Sequence, residues 1–188
     1  EPSQRLLEAG RAARPQLQLG AALDGGAGVG RVTKHVLLRR CERVTLVEPC
    51  ERWLKQSRRY LGNKRSQRCE FVRARLEAHA PPRAAFDLVW VQWCLQYLID
   101  AHVVAALQNL AASLRPHGVL VLKENRPPAD VGFRVDVPDG PHARYDVTRS
   151  DEHHRWLFRC AGLAVEHWEL CDGSGEAAAW VLSASASG

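Results

Sequence analysis

Residues 21–34, AALDGGAGVGRVTK, combine an apolar run, an acid, four closely spaced glycines and the beginning of a segment with helical character. This order predicts a strand, a turn and a helix, which is the context in which glycine loops bind nucleotides. The loop is not a P-loop, because Arg31 and Val32 stand where GxxxxGK[ST] requires Lys and Ser/Thr. The dinucleotide pattern GxGxxG also fails, because Arg31 or Thr33 replaces its third glycine.

The spacing that the loop does match is acid-x-G-x-G-x-G, formed by Asp24, Gly26, Gly28 and Gly30. This form is typical of loops that bind S-adenosylmethionine, whose amino-acid tail lies over the turn. Glycines let the backbone approach the ligand because no Cβ stands in the way. Arg31 follows at the start of the helix and can pair with the cofactor carboxylate through a bidentate fork. We therefore favour a cofactor loop over a purely structural glycine turn.

A second acid is expected at the end of the next strand, where a carboxylate can accept hydrogen bonds from both ribose hydroxyls. Glu48 stands there, directly after RVTLV (43–47) and 24 residues after Asp24. Open α/β sheets bind ligands at the carboxyl ends of their strands. We expect three further polar residues at that edge: Glu77, Gln92 and Asn125.

Short β-rich runs alternate with longer helical ones, which indicates a parallel sheet with crossover helices. Strands are predicted over 21–23, 43–47, 70–73, 87–92, 119–123, 164–169 and 178–183. Helices are predicted over 28–40, 50–61, 100–114 and 153–161. Residues 124–148 are rich in Pro, Gly and Asp and are predicted to form a long irregular connection, which in a compact domain is often functional.

The 188 residues, of which 46% are hydrophobic, predict one domain with a sizeable core. It would comprise an N-terminal helical segment (1–20), a catalytic core (21–183) and a frayed tail (184–188). The sequence has neither an apolar run long enough to span a bilayer nor a signal-peptide pattern, so we expect a soluble protein. The six cysteines are scattered without CxxC pairs, which favours free thiols. Met is absent, so we expect that Glu1 is not the translational start.

The formal net charge is +5, which admits nucleic acid as a partner. The basic residues mostly arrive with acids nearby, as in 39–43 and 51–55, and this pattern favours solvated helix faces over a nucleic-acid groove. Arg and Lys are dense over 31–75, whereas the chain after residue 123 is comparatively acidic. A polar substrate that binds there should be cationic rather than anionic.

Five runs of the sequence together resemble the eukaryotic protein N-terminal methyltransferases, which methylate the α-amino group of proteins beginning X-Pro-Lys. The runs are LDGGAGVGRVTK (23–34), LVE (46–48), FDLVWVQWCLQYL (86–98), LRPHGVLVLKEN (114–125) and YDVTRSD (145–151). The similarity extends from about residue 21 to the end of the chain. It implies a Rossmann-like class I methyltransferase fold, with a seven-stranded mostly parallel sheet and helices on both faces.

The resemblance implies S-adenosylmethionine as the cofactor and nine residues in contact with it. These are Gly26, Gly28 and Arg31 at the methionine part, Glu48 at the ribose with Pro49 and Cys50 beside it, Leu76 and Glu77 at the adenine, and Gln92 at the end of the fourth strand. Glu48 replaces the family's usual Asp and Glu77 its usual Gln. Trp93 corresponds to the wall against which the substrate proline packs, and Asn125 to the residue that orients the substrate N-terminus.

The family also has an acidic loop that receives the substrate lysine and assists deprotonation of the amine. Asp136 and Asp139 are expected to serve here, with Asp146 as a rival because the loop carries extra residues. We expect Asp139 to take the proton. Tyr97 stands where the family has a histidine, and it is a weaker base at neutral pH because tyrosine has a pKa of about 10. We expect it to relay the proton or to orient the amine.

No metal is expected, since His153 and His154 are adjacent and would point apart at a solvated helix start. Trp90, between two valines of a strand, is expected in the core. The implied partners are X-Pro-Lys N-termini of proteins, without direct nucleic-acid or membrane binding, and the implied state is a monomer in the nucleus and cytoplasm. We expect that the family's N-terminal segment is mostly absent, and with Tyr97 this leaves a catalytically impaired cofactor- and peptide-binding homologue open. A class I methyltransferase for another substrate is the other alternative.

Overall fold

A computed structural model describes residues 2–128, 130–136, 145–171 and 175–185. The helices are α1 Pro2–Ala13, α2 Arg31–His35, α3 Glu51–Leu61, α4 Asn63–Ser66, α5 Asp100–Ser113 and α6 Asp151–Cys160. The strands are β1 Ala21–Gly25, β2 Arg43–Val47, β3 Cys69–Val72, β4 Phe86–Gln92, β5 Leu114–Asn125, β6 Phe133–Asp136, β7 Asp146–Arg149, β8 Leu163–Leu170 and β9 Ala177–Ala184. Short 3-10 turns cover Leu37–Arg39, Leu76–Ala78 and Leu95–Tyr97.

Seven strands form one sheet in the order β3-β2-β1-β4-β5-β9-β8. The pairs from β3 to β5 are parallel, whereas β9 runs antiparallel to both β5 and β8. The predicted seven-stranded, mostly parallel sheet is therefore confirmed. The chain moves outward from β1 through β2 to β3 and then returns to β4 on the other side of β1. This reversal places a crevice beyond the carboxyl ends of β1 and β4, where doubly wound sheets bind ligands.

Both faces of the sheet are covered, which explains why the middle of β4, Leu88 to Val91, is apolar on both faces. Leu88 and Trp90 of β4 face a layer that includes Leu6 of α1. Val89 and Val91 face the opposite layer, which is built around α5 and α6. Trp90 is fully buried, as its place in the strand predicted.

The helix predicted over 28–40 is shorter than expected. Gly26, Gly28 and Gly30 have φ angles of 71°, 54° and 81°, in the left-handed region that interrupts a right-handed helix. The helix therefore begins at Arg31, and it gives way to the 3-10 turn at Leu37. The glycines form a turn of their own instead of a first helical turn.

The prediction of an irregular connection over 124–148 was wrong in part. β5 continues to Asn125, and β6 and β7 pair as an antiparallel ribbon with Phe133 opposite Arg149 and Asp136 opposite Asp146. Strands of four residues, FRVD and DVTR, are too short for an alternating pattern to stand out among prolines and glycines.

The expectation of a solvated helix start was also wrong for His154. Its side chain is buried, its Nδ1 lies 3.0 Å from the Ser150 carbonyl oxygen, and its ring centroid is 4.7 Å from that of Trp180. Burial lowers the pKa of His154 to about 4. His153 instead pairs with Asp100, with Nε2 and Oδ2 2.8 Å apart. Among the described residues, no three potential metal ligands cluster.

Five cysteines, Cys41, Cys50, Cys69, Cys94 and Cys160, are free thiols, as the sequence predicted. Within the described part of the chain, no helix combines the length and apolarity needed to cross a bilayer.

Candidate active site

The glycine loop is fixed to the end of β2 by backbone hydrogen bonds. The N–H groups of Gly26 and Ala27 both donate to the Val47 carbonyl, at 2.9 and 3.1 Å. One residue further on, the buried Glu48 carboxylate accepts from the N–H of Gly28 (3.0 Å) and, through its other oxygen, from that of Cys50 (2.8 Å). The predicted loop and the predicted ribose acid therefore meet directly, and the carboxylate is already oriented.

Asp24 has a structural place beneath this loop. Its Oδ2 accepts hydrogen bonds from both the N–H (3.0 Å) and the hydroxyl (2.6 Å) of Thr33, and so ties the strand end to α2. Burial raises the pKa of Asp24 to about 6, although the bonds from Thr33 oppose the shift. The carboxyl group is satisfied inside the fold, and this explains why the motif needs an acid before its glycines.

The glycine positions differ in the space above them. A Cβ at Gly26 would lie 2.5 Å from Cys94 Sγ and 2.8 Å from Cys94 Cβ, so the loop packs directly against the segment after β4. A Cβ at Gly28 would meet no atom within 4 Å. Arg31, beside this open space, is exposed. An uncovered turn flanked by an exposed guanidinium and an oriented carboxylate fits the amino-acid tail and ribose of S-adenosylmethionine.

The other predicted cofactor contacts lie around the same crevice. Leu76 is buried, and its Cδ1 would be 3.1 Å from a Cβ at Gly25, so it packs against the start of the loop. Glu77 forms an ion pair with Arg75. Gln92 accepts a hydrogen bond from the indole N–H of Trp90 at 3.2 Å. Pro49 is exposed, and Cys50 is the residue that precedes α3.

Trp93 stands at the carboxyl end of β4 in an unusual backbone conformation. Its φ is 52°, and the conformation is held by a hydrogen bond from its N–H to the Lys123 carbonyl (2.9 Å). A non-glycine residue in the left-handed region is strained and often marks a functional site. The indole is 41% exposed rather than core, and Lys123 Nζ lies 5.3 Å from its ring centroid. The ring is thus a flat apolar surface open to a ligand.

Glu124 positions the backbone that follows Trp93. Its Oε1 accepts hydrogen bonds from the N–H groups of Cys94 and Leu95, both at 2.8 Å, while its buried Oε2 has no partner among the described residues. Burial raises the pKa of Glu124 to about 7, against the lowering effect of the two N–H groups. Asn125, the last residue of β5, is exposed at the same rim.

The β6–β7 ribbon is fastened to this rim by Arg149, whose side chain is 1% exposed. Its guanidinium donates to the carbonyl oxygens of Leu98 (2.6 Å) and Leu95 (3.2 Å) and to Asp100 Oδ1 (2.8 Å). One side chain thus connects β7, the 3-10 turn after Trp93 and the start of α5. Tyr97, within that turn, is exposed.

The acidic residues of the ribbon lie at its far end. Asp136 is exposed and forms an ion pair with Arg134 at 2.9 Å. Burial, together with a hydrogen bond and repulsion from Asp136, raises the pKa of Asp146 opposite it. The two carboxyl groups therefore make a local site that favours a cation. Asp139, the predicted proton acceptor, lies outside the described residues.

We predict that the Glu124→Gln substitution changes how stability depends on pH. In the folded protein the Glu124 pKa is about 7 against an ordinary 4.5, so the folded state holds this proton to higher pH. The proton retained on Glu124 stabilises the folded state fully below about pH 4.5, and this stabilisation is lost as the pH rises through 7. Urea unfolding of the ligand-free protein should show the variant gaining stability relative to wild type between pH 5 and pH 8.

Glu152→Gln, at an exposed position of α6, is the matched control and should differ little from wild type at every pH. A constant difference between Glu124→Gln and wild type across this range would contradict the prediction.

Sequence reasoning missed four residues that shape the site: Cys94, Lys123, Glu124 and Arg149. Each acts through a contact that is distant in sequence, such as the 30 residues between Glu124 and the N–H of Cys94. Local periodicity carries no information about such pairs. The KEN and TRSD runs that contain Glu124 and Arg149 did carry the family resemblance, and they were the available signal.

Comparison with protein families gives a match over residues 3–176 to the family described as AdoMet dependent proline di-methyltransferase. Alpha N-terminal protein methyltransferase 1 of Arabidopsis thaliana is 36% identical over 145 residues, which are 76% of this chain and 50% of that protein. N-terminal Xaa-Pro-Lys N-methyltransferase 1 of Xenopus tropicalis is 33% identical over 77% of this chain and 61% of its own length. The chain thus spans about half to three fifths of these curated relatives.

Solved structures agree with the fold. A SAM-dependent methyltransferase from Leishmania major superposes with a TM-score of 0.81 at 28% identity, over 96% of this chain and 72% of that one. The glycopeptide N-methyltransferase MtfA, complexed with S-adenosyl-L-methionine, gives a TM-score of 0.76 at 18% identity, over 96% and 87% of the two chains. The second likeness concerns the fold alone.

Proposed function

Because this chain belongs to the family of AdoMet-dependent proline di-methyltransferases, we propose that it methylates the α-amino group of proteins with X-Pro-Lys-type N-termini. The observation that carries the proposal is the contact between Gly26 and Cys94. It joins the loop suited to the cofactor to the segment that presents Trp93. A donor site and a peptide site therefore share one crevice.

The chain's own residues fit S-adenosylmethionine at the glycine loop. The backbone at Gly28 leaves room for the amino-acid tail while Gly26 lets the loop pack closely on Cys94, exposed Arg31 can pair with the tail's carboxylate, and Glu48 is oriented for the ribose hydroxyls. The cofactor, when bound, supplies a methyl group activated on a sulfonium. Pro49, Cys50, Leu76, Glu77 and Gln92 are proposed to complete its surroundings.

The substrate side must present an unprotonated amine in a fixed position. An α-amino group has an ordinary pKa of about 7.7 to 8.0, so part of the amine is already unprotonated near neutral pH and a positioned acceptor need assist its deprotonation only modestly. We assign that role to Asp139, with Tyr97 as relay or orienting group. Trp93 offers its exposed ring to the proline, and Asn125 can hydrogen-bond the N-terminus.

The acidic end of the β6–β7 ribbon supports a lysine at the third substrate position. Asp136 is exposed, and the raised pKa of Asp146 reflects burial together with the hydrogen bond and negative charge of Asp136, which Arg134 offsets only in part. A lysine ammonium group placed between the two carboxyl groups would add a second cation to balance them. Protein N-termini are accordingly the proposed partners. We further propose a monomer that acts in the nucleus and cytoplasm without direct nucleic-acid or membrane binding.

Tyr97 supports a second candidate, a homologue that binds cofactor and peptide but turns over poorly. The phenol is exposed where the family has an imidazole, and at neutral pH it is the weaker base. An assay of methyl transfer to a peptide distinguishes the active enzyme from the impaired homologue. A different acceptor specificity would distinguish a small-molecule methyltransferase from both.

The test is mass spectrometry of a Ser-Pro-Lys-Arg peptide incubated with protein and S-adenosylmethionine. We predict methyl addition that stops when the peptide N-terminus is acetylated. Asn125→Ala should lower kcat/KM about 100-fold, because a misplaced nucleophile costs rates of that order, and Trp93→Ala should chiefly raise KM. Trp168→Ala is the matched control, since that indole is 37% exposed on β8, the outer strand of the sheet and three strands away from β4.

Transfer that survives acetylation would mean lysine modification and would refute the proposed site of methylation. Peptide binding by calorimetry without any transfer would favour the impaired homologue.

A further inference from the structure

A second cavity, of about 410 Å³, lies outside the crevice and is lined by six basic side chains. They are Lys34, His35, Arg39, Lys64, Arg65 and Arg68, and we call this cavity the basic pocket. Lys34 and His35 end α2, whereas Lys64 and Arg65 belong to α4.

The basic pocket lies at the opposite edge of the sheet from the crevice. Arg39 comes shortly before β2 begins at Arg43, and Arg68 comes directly before β3 begins at Cys69. The pocket is therefore near the amino ends of these parallel strands. The glycine loop and Trp93 follow the carboxyl ends of β1 and β4. A ligand in the basic pocket would not occupy the methyl-transfer site.

The charge of the basic pocket is not compensated by carboxylates. In the described part of the chain, none of its six side chains forms an ion pair with Asp or Glu. A solvated helix face usually interleaves both signs. Five Lys and Arg side chains around one cavity repel each other, and an anion would relieve that repulsion.

Half of these side chains are held in place by the protein. Lys34 Nζ donates to the Tyr60 carbonyl (2.8 Å) and lies 3.9 Å from the centroid of the Tyr60 ring, while His35 Nε2 is 2.8 Å from its hydroxyl. Arg68 donates to the carbonyls of Cys41, Glu42 and Leu38 at 2.5, 2.9 and 3.2 Å. Such ordering lowers the entropy cost of binding a ligand.

The remaining cations are free to contact a ligand. Arg39, Lys64 and Arg65 are exposed and can turn their donors towards the cavity. Guanidinium and ammonium groups together suit the three oxygens of a phosphate, which accepts paired, charge-assisted hydrogen bonds. The cavity volume falls in the range of small-molecule sites.

We propose that the basic pocket binds the phosphate group of a small phosphorylated compound. The site is independent of the methyl-transfer activity, so either can be tested when the other fails.

The experiment is calorimetric titration of the chain with inorganic phosphate and with tripolyphosphate. S-adenosylhomocysteine is kept at saturation so that the crevice is blocked. We expect saturable one-to-one binding by wild type. Arg39→Glu/Arg65→Glu should weaken it about tenfold or more, since each lost charge-assisted hydrogen bond removes a contribution of that size. Arg39→Gln/Arg65→Gln should give a smaller loss.

The matched control is Arg83→Glu/Arg159→Glu, which changes the net charge equally at exposed positions outside the pocket and should bind as wild type does. Unchanged affinity for S-adenosylhomocysteine in every variant verifies folding. Three results would overturn the proposal: no binding by wild type, equal weakening in both charge-reversal variants, or binding of a short DNA duplex that tripolyphosphate does not compete away.

Discussion

Replacing Gly26 with alanine is expected to lower the free energy of unfolding by about 2 to 5 kcal/mol and to abolish cofactor binding. The left-handed φ of 71° accounts for about 1 to 2 kcal/mol of this loss. The rest, about 1 to 3 kcal/mol, comes from overpacking, because the new Cβ would lie 2.5 Å from Cys94 Sγ. Urea unfolding without cofactor measures the first effect, and calorimetry with S-adenosylmethionine measures the second.

Gly28→Ala separates the two contributions. Its φ is 54°, but a Cβ there meets nothing within 4 Å, so the ligand-free protein should lose only the conformational part, about 1 to 2 kcal/mol. Adding Cys94→Gly to Gly26→Ala removes both crowding atoms and should restore part of the stability. Equal losses in the two alanine variants, with no rescue by Cys94→Gly, would show that crowding contributes nothing.

Arg149→Met is expected to cost about 3 kcal/mol or more, because it removes a buried donor from several acceptors at once. The Leu98 carbonyl would lose the guanidinium, the Leu95 carbonyl would keep only the Leu98 N–H, and Asp100 would keep only His153. The segment after Trp93 would no longer be tied to β7, so methyl transfer should fall together with stability. Urea unfolding and peptide methylation measure the two effects.

Arg134→Met serves as the control on the neighbouring strand. Its guanidinium is exposed and pairs with Asp136 on the surface, so the expected loss is below about 1 kcal/mol. Arg149→Lys keeps the charge but cannot span both carbonyls and Asp100, and an intermediate loss is expected. If Arg149→Met unfolded at the same urea concentration as wild type, the fastening role of Arg149 would be refuted.

The sequence predicted those parts of the molecule whose signals are local. The glycine loop, the acid at the end of β2 and the apolar middle of β4 could each be recognised within a few residues. The β6–β7 ribbon was missed because four-residue strands carry too little periodicity. His154 was misplaced because its burial depends on Trp180, which is 26 residues further along the chain.

The residues of the site also differ in whether their roles depend on local signals or on contacts distant in sequence. Gly28 and Glu48 were predicted as partners in cofactor binding, and they lie in direct contact. The unpaired oxygen of Glu124 and the three-way contacts of Arg149 depend on the order of strands in the sheet, which no local pattern encodes. Basic residues with acids nearby, such as those in 39–43, were interpreted as solvated helix faces, yet Arg39 and five other basic side chains surround one cavity.

The packing of Cys94 on Gly26 has a consequence for the order of events at the crevice. The glycine loop proposed for the cofactor packs on Cys94, next to Trp93, which is proposed for the peptide. Glu124 holds the same backbone by accepting a hydrogen bond from the N–H of Cys94. A shift of the loop on binding the cofactor would therefore act on the backbone that carries the indole. Thermodynamic linkage then makes any such effect reciprocal: donor and acceptor change each other's affinity by the same factor.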